Sequence, residues 1–228
     1  MKENILALPS KDRFRDESLA LLARAGIPVE IPGRQLSAVM NLPKIGQFTV
    51  ALMRPRDIVE RVALGQISLG IAGFDSVEEY LLKDKYSKPQ DQTRPVEIPP
   101  VQTLLKLGIG RCRMVVMASL KSGIQSIPPK GERIATSYPW IGKEFLDPNG
   151  ELEFRWVELS GSVEVAPAIG LADAVLDIVE EGKTRDENKL REIFTLFDSE
   201  GLLITNGLNK KGSSRFADAV KDRISAVL

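Results

Sequence analysis

The chain contains no histidine. That absence removes Ser-His-Asp and Cys-His nucleophilic catalysis, together with every metal site built on imidazole. There is a single cysteine, Cys112, so no internal disulfide can form and a reducing cytoplasm is the natural setting. A cysteine of this kind reads as a small buried hydrophobe. No apolar run approaches the length of a membrane span. The opening MKENILALPSKDRF lacks the long apolar segment of a secretory signal, which disfavours an extracellular solute-binding protein. Net charge is missing too: 31 Lys and Arg balance 31 Asp and Glu. That argues against a broad nucleic-acid surface but leaves room for a local basic pocket that takes a small anion. Internal repeats and low-complexity segments are also absent.

What is present is ordinary globular composition. Of 228 residues, 43% are hydrophobic and 27% charged, enough for a sizeable core and too apolar for disorder. The length suits one large domain or two small lobes, at roughly 100–200 residues per domain.

Periodicity gives an alternation of elements. NILAL, FTVALM and ISLGIAG read as strands, and each is followed by a helical pattern, DESLALLARAGI, RPRDIVERVALG and SVEEYLLKDKY. The Pro-rich piece from Ser87 to Gln102 has turn chemistry and suits a lobe boundary. Beyond it RCRMVVMAS, RIATS, LEFRWVEL, DAVLDIV and GLLITN look like strands. The last sixteen residues form a helix with a Ser cap and apolar spacing at Phe216, Val220 and Ile224. Strands alternating with helices predict an α/β fold with parallel sheets, and such sheets bind ligands at the carboxyl ends of their strands.

Three loops fall where that rule puts a site. PSKDR follows the first strand and offers Lys11. SGSVE follows the strand ending at Leu159 and offers Ser160, Gly161, Ser162, Val163 and Glu164. EEGKT follows the strand ending near Val179 and offers Gly182, Lys183 and Thr184. Backbone amides, Lys and hydroxyls at a helix amino terminus form a general anion cradle. Gly and Ser are also the default residues of any loop, so the three together carry more than each alone. Arg34, Arg54 and Arg56 are the cations suited to a phosphate, since guanidinium forks bind it bidentately. Surface pairing with Glu30, Asp57 or Glu60 is their bland alternative. Asp173 and Asp177 flank the same loops. Asp177, inside an apolar strand, is costly to bury without a partner. Orienting loop amides, binding ribose hydroxyls, facing a magnesium ion and forming an ion pair all stay open for it.

In order along nearly the whole chain, these motifs resemble the ATP phosphoribosyltransferases that begin histidine biosynthesis. LALPSKDRF is similar to the family's opening Pro-x-Lys-Gly-Arg-Leu loop and RQL to its Arg-x-Leu. RPRDIVERVALGQISLGIAGFD resembles its Arg-Pro-x-Asp-Ile…Leu-Gly-Ile-x-Gly-x-Asp segment. LGIGRCRMVV and RIATSYP resemble the segments entering the second lobe. SGSVEVAPAIGLADAVLDIVEEGKT resembles the signature with Glu-x5-Gly-x-Ala-Asp spacing.

The resemblance implies a two-lobed fold like the type II periplasmic binding proteins, with mostly parallel sheets and a cleft between the lobes. It divides the chain into a first lobe of residues 1–105 with 185–228 and a second of 106–184. It also implies a reaction in which N1 of ATP attacks C1 of phosphoribosyl pyrophosphate and displaces pyrophosphate, with magnesium carried by the substrate rather than held by the protein. Departure of pyrophosphate leaves an oxocarbenium-like sugar, which needs charge stabilisation and positioning more than a nucleophilic side chain. A chain without histidine meets that need.

By resemblance Lys11, Arg34 and Arg54 serve the pyrophosphate or the ATP phosphates. Ser160 to Glu164 line the ribose side, and EEGKT, with Asp177 upstream, holds the 5′-phosphate. The length matches the short catalytic form. That form implies a cytoplasmic homodimer within a hetero-oligomer that includes a regulatory subunit like histidyl-tRNA synthetase. Four positions depart from the family pattern: Asp12 for Gly, Ser68 for Asp, Glu181 for a hydroxylic residue and Arg185 for Leu. Asp12 and Glu181 favour one alternative, a weakly active or inactive module on the same fold that binds a nucleotide or phosphosugar.

Overall fold

The computed structural model of the chain describes residues 4–33, 35–87, 100–180, 189–206 and 211–228. Two compact units emerge: Met1–Gly110 with Glu200–Leu228, and Arg111–Ser199.

The first unit is a six-stranded sheet of order β2-β3-β1-β4-β11-β5. Its strands are β1 (Ile5–Pro9), β2 (Ser37–Leu42), β3 (Gly46–Met53), β4 (Leu69–Gly73), β5 (Gln102–Lys106) and β11 (Gly201–Thr205). Its helices are α1 (Asp12–Arg24), α2 (Pro55–Ala63), α3 (Phe74–Ser87) and the terminal α5 (Lys211–Ser225). Side-chain alternation in β1 splits the core. Leu6 and Leu8 pack with Leu21 and Leu22 of α1 and with Phe216, Val220 and Ile224 of α5. Ala7 packs with Ile58, Val59 and Val62 of α2 and Val77 of α3. A sheet with a helix pair on each face follows from central strands, β1, β4 and β11, that are buried on both sides.

The second unit has a five-stranded sheet, β10-β6-β9-β7-β8. It comprises β6 (Cys112–Ser119), β7 (Arg133–Thr136), β8 (Arg155–Glu158), β9 (Ala174–Val179) and β10 (Leu190–Ser199). The helix α4 (Pro139–Leu146) covers one face at close range. A Cβ on its Gly142 would sit 2.4 Å from the Trp156 ring, so only glycine permits this approach. Val163 and Ala166 pack on the other face with Val115, Val175 and Val179.

Each sheet is mixed. β1 pairs parallel with β3 and β4, and β7 with β8 and β9. Antiparallel strands extend these parallel cores at β2, β5, β6, β10 and β11. The expected parallel pairing thus lies in β3-β1-β4 of the first sheet and in β9-β7-β8, at one end of the second. The expected lobe boundary at 184/185 falls too early, since β10 belongs to the second sheet. Its sequence hides it: register shifts between Glu192 and Phe194 and between Thr195 and Phe197 break the period of two. Among the described residues no helix is long and apolar enough to cross a membrane.

Candidate functional site

In the first unit β1, β3 and β4 run parallel, and each leads directly into a helix. Three helix amino termini therefore gather at one sheet edge, the arrangement that right-handed strand–helix–strand crossovers produce. Lys11 occupies the N-cap of α1, and Arg54 occupies the N-cap of α2 ahead of Pro55. The last paired residues of the two strands are Pro9 and Met53, and the Ser10 amide donates to the Met53 carbonyl at 2.9 Å. The two cap positions are thereby held on adjacent strand ends. Both residues are exposed, and neither helix has a side-chain cap. This placement runs against preference. Caps are normally Ser, Thr, Asp or Asn, and a cation opposes the positive end of the helix dipole. An anion bound over both termini would meet the two cations and the positive ends of both helix dipoles together.

Asp12, in the family's glycine position, has φ +51°. The position demands a left-handed backbone, which glycine supplies freely and aspartate tolerates better than most residues. At the neighbouring end of β4, Asp75 and Ser76 are buried, and the Ser76 hydroxyl donates to Asp75 Oδ2 at 3.1 Å. The sequence reading named neither; a short polar pair straight after an apolar strand was the available signal. Arg34 lies outside the described residues. Arg56 is exposed in the first turn of α2. Ser68 precedes β4 at the opposite edge, where its hydroxyl accepts from the Ile5 amide at 3.3 Å. That departure from the family pattern is remote from the gathered helix termini.

In the second unit β7, β8 and β9 are mutually parallel, so the loops after β8 and after β9 leave from one edge. Ser160, Gly161 and Ser162 follow β8 there and are exposed or half-exposed. The left-handed residue is Ser162 (φ +51°), while Gly161 has an ordinary φ and open space around it. The left-handed backbone of this loop is therefore at the serine, and the open space at Gly161 leaves room for the backbone approach expected there. Val163 begins a 3-10 turn and is 1% exposed, so only its backbone can face a ligand. Glu164 is half-buried in that turn. Asp177 pairs with Val115 and lies one residue beyond the level where Thr136 meets Leu176, which sets it at the same edge. Thr136 is buried there and accepts from the Tyr138 amide at 2.8 Å, shaping the turn into α4. Gly182, Lys183 and Thr184, with Glu181 and Arg185, lie outside the described residues.

Asp173 is a correction. It stands at the amino end of β9, the edge opposite the loops, and both its oxygens are committed to Arg133. Arg133 Nη2 donates to Oδ1 at 2.7 Å, and Nε and the backbone amide donate to Oδ2 at 3.0 and 2.9 Å. Arg133 Nη1 also donates to the Gly170 carbonyl at 2.7 Å, pinning the returning loop. The Arg133 hydrogen bond holds the Asp173 carboxyl well below the usual carboxylate range. A hydrogen bond to Asp173 and partial burial push neighbouring Glu132 up. Sequence alone could not show this, because the family-like Ala-Asp step says nothing of the arginine forty residues upstream. A cavity of about 890 Å³ lies at this amino edge, lined by Lys121, Glu132, Asp173 and Lys189 among others. It is on the wrong side of the sheet for the loops after β8 and β9.

A family model described as HisG, ATP phosphoribosyltransferase, matches residues 54–226. Among solved structures, the chain is similar to one from the ATP phosphoribosyl transferase (HisG:HisZ) complex of Thermotoga maritima. Identity is 22%, 98% of this chain and 99% of that one are covered, and the TM-score is 0.68. YhfZ from Shigella flexneri is similar at 16% identity over 99% and 88% of the two chains, with a TM-score of 0.59. The arginine-, lysine-, histidine-binding protein ArtJ of Geobacillus stearothermophilus follows at 14% identity, 99% and 90% coverage and a TM-score of 0.55. The last likeness places the fold with the type II periplasmic binding proteins.

Proposed function

This chain belongs to the ATP phosphoribosyltransferase family, and from that premise we propose that it transfers the phosphoribosyl group of phosphoribosyl pyrophosphate to N1 of ATP. N1 bonds to C1 as the bond from C1 to the pyrophosphate oxygen breaks, giving phosphoribosyl-ATP and pyrophosphate. No protein nucleophile is required, which suits a chain without histidine. The observation that carries the reading is the pair of uncapped helix termini, each with a cation in its cap position, on adjacent parallel strands.

Lys11 and Arg54, with Arg34, bind the pyrophosphate or the ATP phosphates and stabilise the charge that develops on the leaving group. Ser160, Gly161, Ser162 and Glu164, with the backbone of Val163, line the ribose. Asp177 and the Gly182-Lys183-Thr184 loop serve the 5′-phosphate. Magnesium carried by the pyrophosphate would neutralise part of its charge. Lys11 and Arg54 suit the phosphate oxygens and not such an ion, and Asp75, buried and hydrogen-bonded to Ser76, is a carboxylate at that edge whose oxygens would suit it.

The Thermotoga likeness supports a hetero-oligomer with a HisZ-like subunit; we propose in addition that this chain pairs as a homodimer within it and that the subunit is a regulatory one resembling histidyl-tRNA synthetase. Arg54→Ala tests the core of the proposal. With saturating ATP, turnover should fall on the order of a hundredfold, the usual effect of removing one charge-stabilising donor. Unchanged turnover would remove Arg54 from the site. No phosphoribosyl-ATP from the unmodified protein, alone or with a HisZ-like subunit, would reject the enzyme. Asp12 favours a second reading, a nucleotide or phosphosugar sensor, since it adds negative charge at the first anion turn. Calorimetric binding of phosphoribosyl pyrophosphate without its consumption would select that reading.

A further inference from the structure

The chain passes between its two units twice, at Gly110–Arg111 and at Ser199–Glu200. On the first unit's side these crossovers are fastened to each other: the Gly201 amide donates to the Ile109 carbonyl at 2.7 Å, and the Leu107 amide to the Gly201 carbonyl at 2.9 Å. They are also fastened to the first two turns of α1. One edge of the Phe14 ring fits between Gly110 and Gly201. A Cβ on Gly110 would lie 2.5 Å from ring atoms Cδ2 and Cε2, and one on Gly201 would lie 2.8 Å from Cε2. Gly110 has φ +62° as well, so glycine is required there twice over. One turn further on, Glu17 Oε2 accepts from the Gly110 amide at 2.6 Å, while Oε1 accepts from Arg13 Nη1 at 2.8 Å.

α1 is already held to the sheet by the buried Leu21 and Leu22. An ordinary i,i+4 pair like Arg13–Glu17 contributes little, and a stability role alone does not explain why both crossovers are engaged by the helix that carries Lys11. We propose that Phe14 and Glu17 are positioning residues: they make residues 107–110 and 200–201 the seat of the Lys11 turn, so that anion binding at that turn and the conformation of the crossovers are linked. The proposal rests on the reading of Lys11 as an anion ligand. Linkage is reciprocal. An anion that fixes the Lys11 turn must steady the crossovers, and a change in the crossovers must alter anion affinity.

Inorganic pyrophosphate is the probe. In the unmodified full-length protein, its addition should slow hydrogen exchange of the amides of residues 107–110 and 200–201. In calorimetry Glu17→Ala should weaken pyrophosphate binding on the order of fivefold, within the usual range of coupling between sites. Glu17→Gln keeps the acceptor for Gly110 and should retain most of the affinity. Gly201→Ala should weaken binding by a similar factor, and Phe14→Leu in that background should recover part of it. A folded Glu17→Ala with the parent's affinity, or exchange at the crossovers indifferent to pyrophosphate, would overturn the proposal and leave the anion site standing. If the unmodified protein binds no pyrophosphate, the anion site itself falls and this linkage with it.

Discussion

At Asp12 a left-handed backbone and an acidic side chain share the turn that Lys11 caps. Asp12→Gly relieves roughly 1 kcal/mol of backbone strain but returns roughly 0.5–1 kcal/mol of chain entropy to the unfolded state, so thermal stability should change little. Pyrophosphate affinity should rise by roughly fivefold, about 1 kcal/mol for removing one nearby like charge. Titration calorimetry on the folded variant measures this, and unchanged affinity would place the anion away from the α1 turn. The sequence reading found this position through its departure from a family glycine. After β8 it gave Gly161 a close backbone approach and did not foresee the left-handed backbone of Ser162, because residue type shows where strain is cheap and not where the chain turns.

Glu132 is the second case at this scale. Its carboxyl is raised by the hydrogen bond it donates to Asp173 when protonated. An acid with a raised folded pKa contributes stability that is fully present below its unfolded pKa and is lost as pH rises through its folded pKa. Asp173 has the opposite sign: its contribution is present above the ordinary carboxylate pKa and disappears only under strong acid. Glu132→Gln makes the donor permanent. Its melting temperature should exceed the parent's at pH 8, and the gap should close as pH falls into the carboxylate range. A gap that is the same at both pH values would mean that Glu132 does not share a proton with Asp173.

At the scale of elements, the strand-to-helix junctions were the most legible part of the chain. β1, β3, β4, β6, β7, β8, β9 and β11 all stand out as apolar runs, and the rule that ligands sit at carboxyl ends led to Lys11, while Arg54 was named with Arg34 and Arg56 for its guanidinium. The strands that escaped notice are β2, an edge strand that alternates only between exposed and half-buried residues, β5, an edge strand with no fully buried residue, and the bulged β10. None of them has the simple apolar alternation on which the reading of strands depends. The helix ends carry a cost that can be measured. Arg54 at the N-cap of α2 makes no side-chain cap hydrogen bond to the first turn. Arg54→Ser supplies a side-chain acceptor and removes a cation from the positive end of the dipole. The variant should be more stable than the parent by about 1 kcal/mol in urea without ligand, while binding pyrophosphate more weakly. A loss of both stability and affinity would mean that Arg54 serves packing instead of an anion.

At the scale of the molecule, the connectivity makes the two units unequal partners in folding. The second unit is one continuous segment, whereas the first is completed by β11 and α5, which follow it in sequence. β11 must insert between β4 and β5, and with an unfolded insert that closure costs roughly 4 kcal/mol for a loop of this length. Folding of the second unit removes most of the cost, because its two ends meet: Cys112 at the start of β6 pairs with Ser199 at the end of β10. Both tryptophans, Trp140 and Trp156, lie in the second unit, so their emission follows it alone while far-ultraviolet dichroism follows both units. Leu22→Ala, in the first unit's core, and Leu176→Ala, in the second's, each delete a fully buried side chain and should cost about 2–5 kcal/mol locally. Leu22→Ala should lower the dichroism midpoint and leave the tryptophan midpoint in place. Leu176→Ala should lower both, because unfolding the insert returns the closure cost to the first unit. If Leu22→Ala instead shifts the two signals equally, the units fold as a single cooperative body, and the asymmetry set by the chain's path has no energetic consequence.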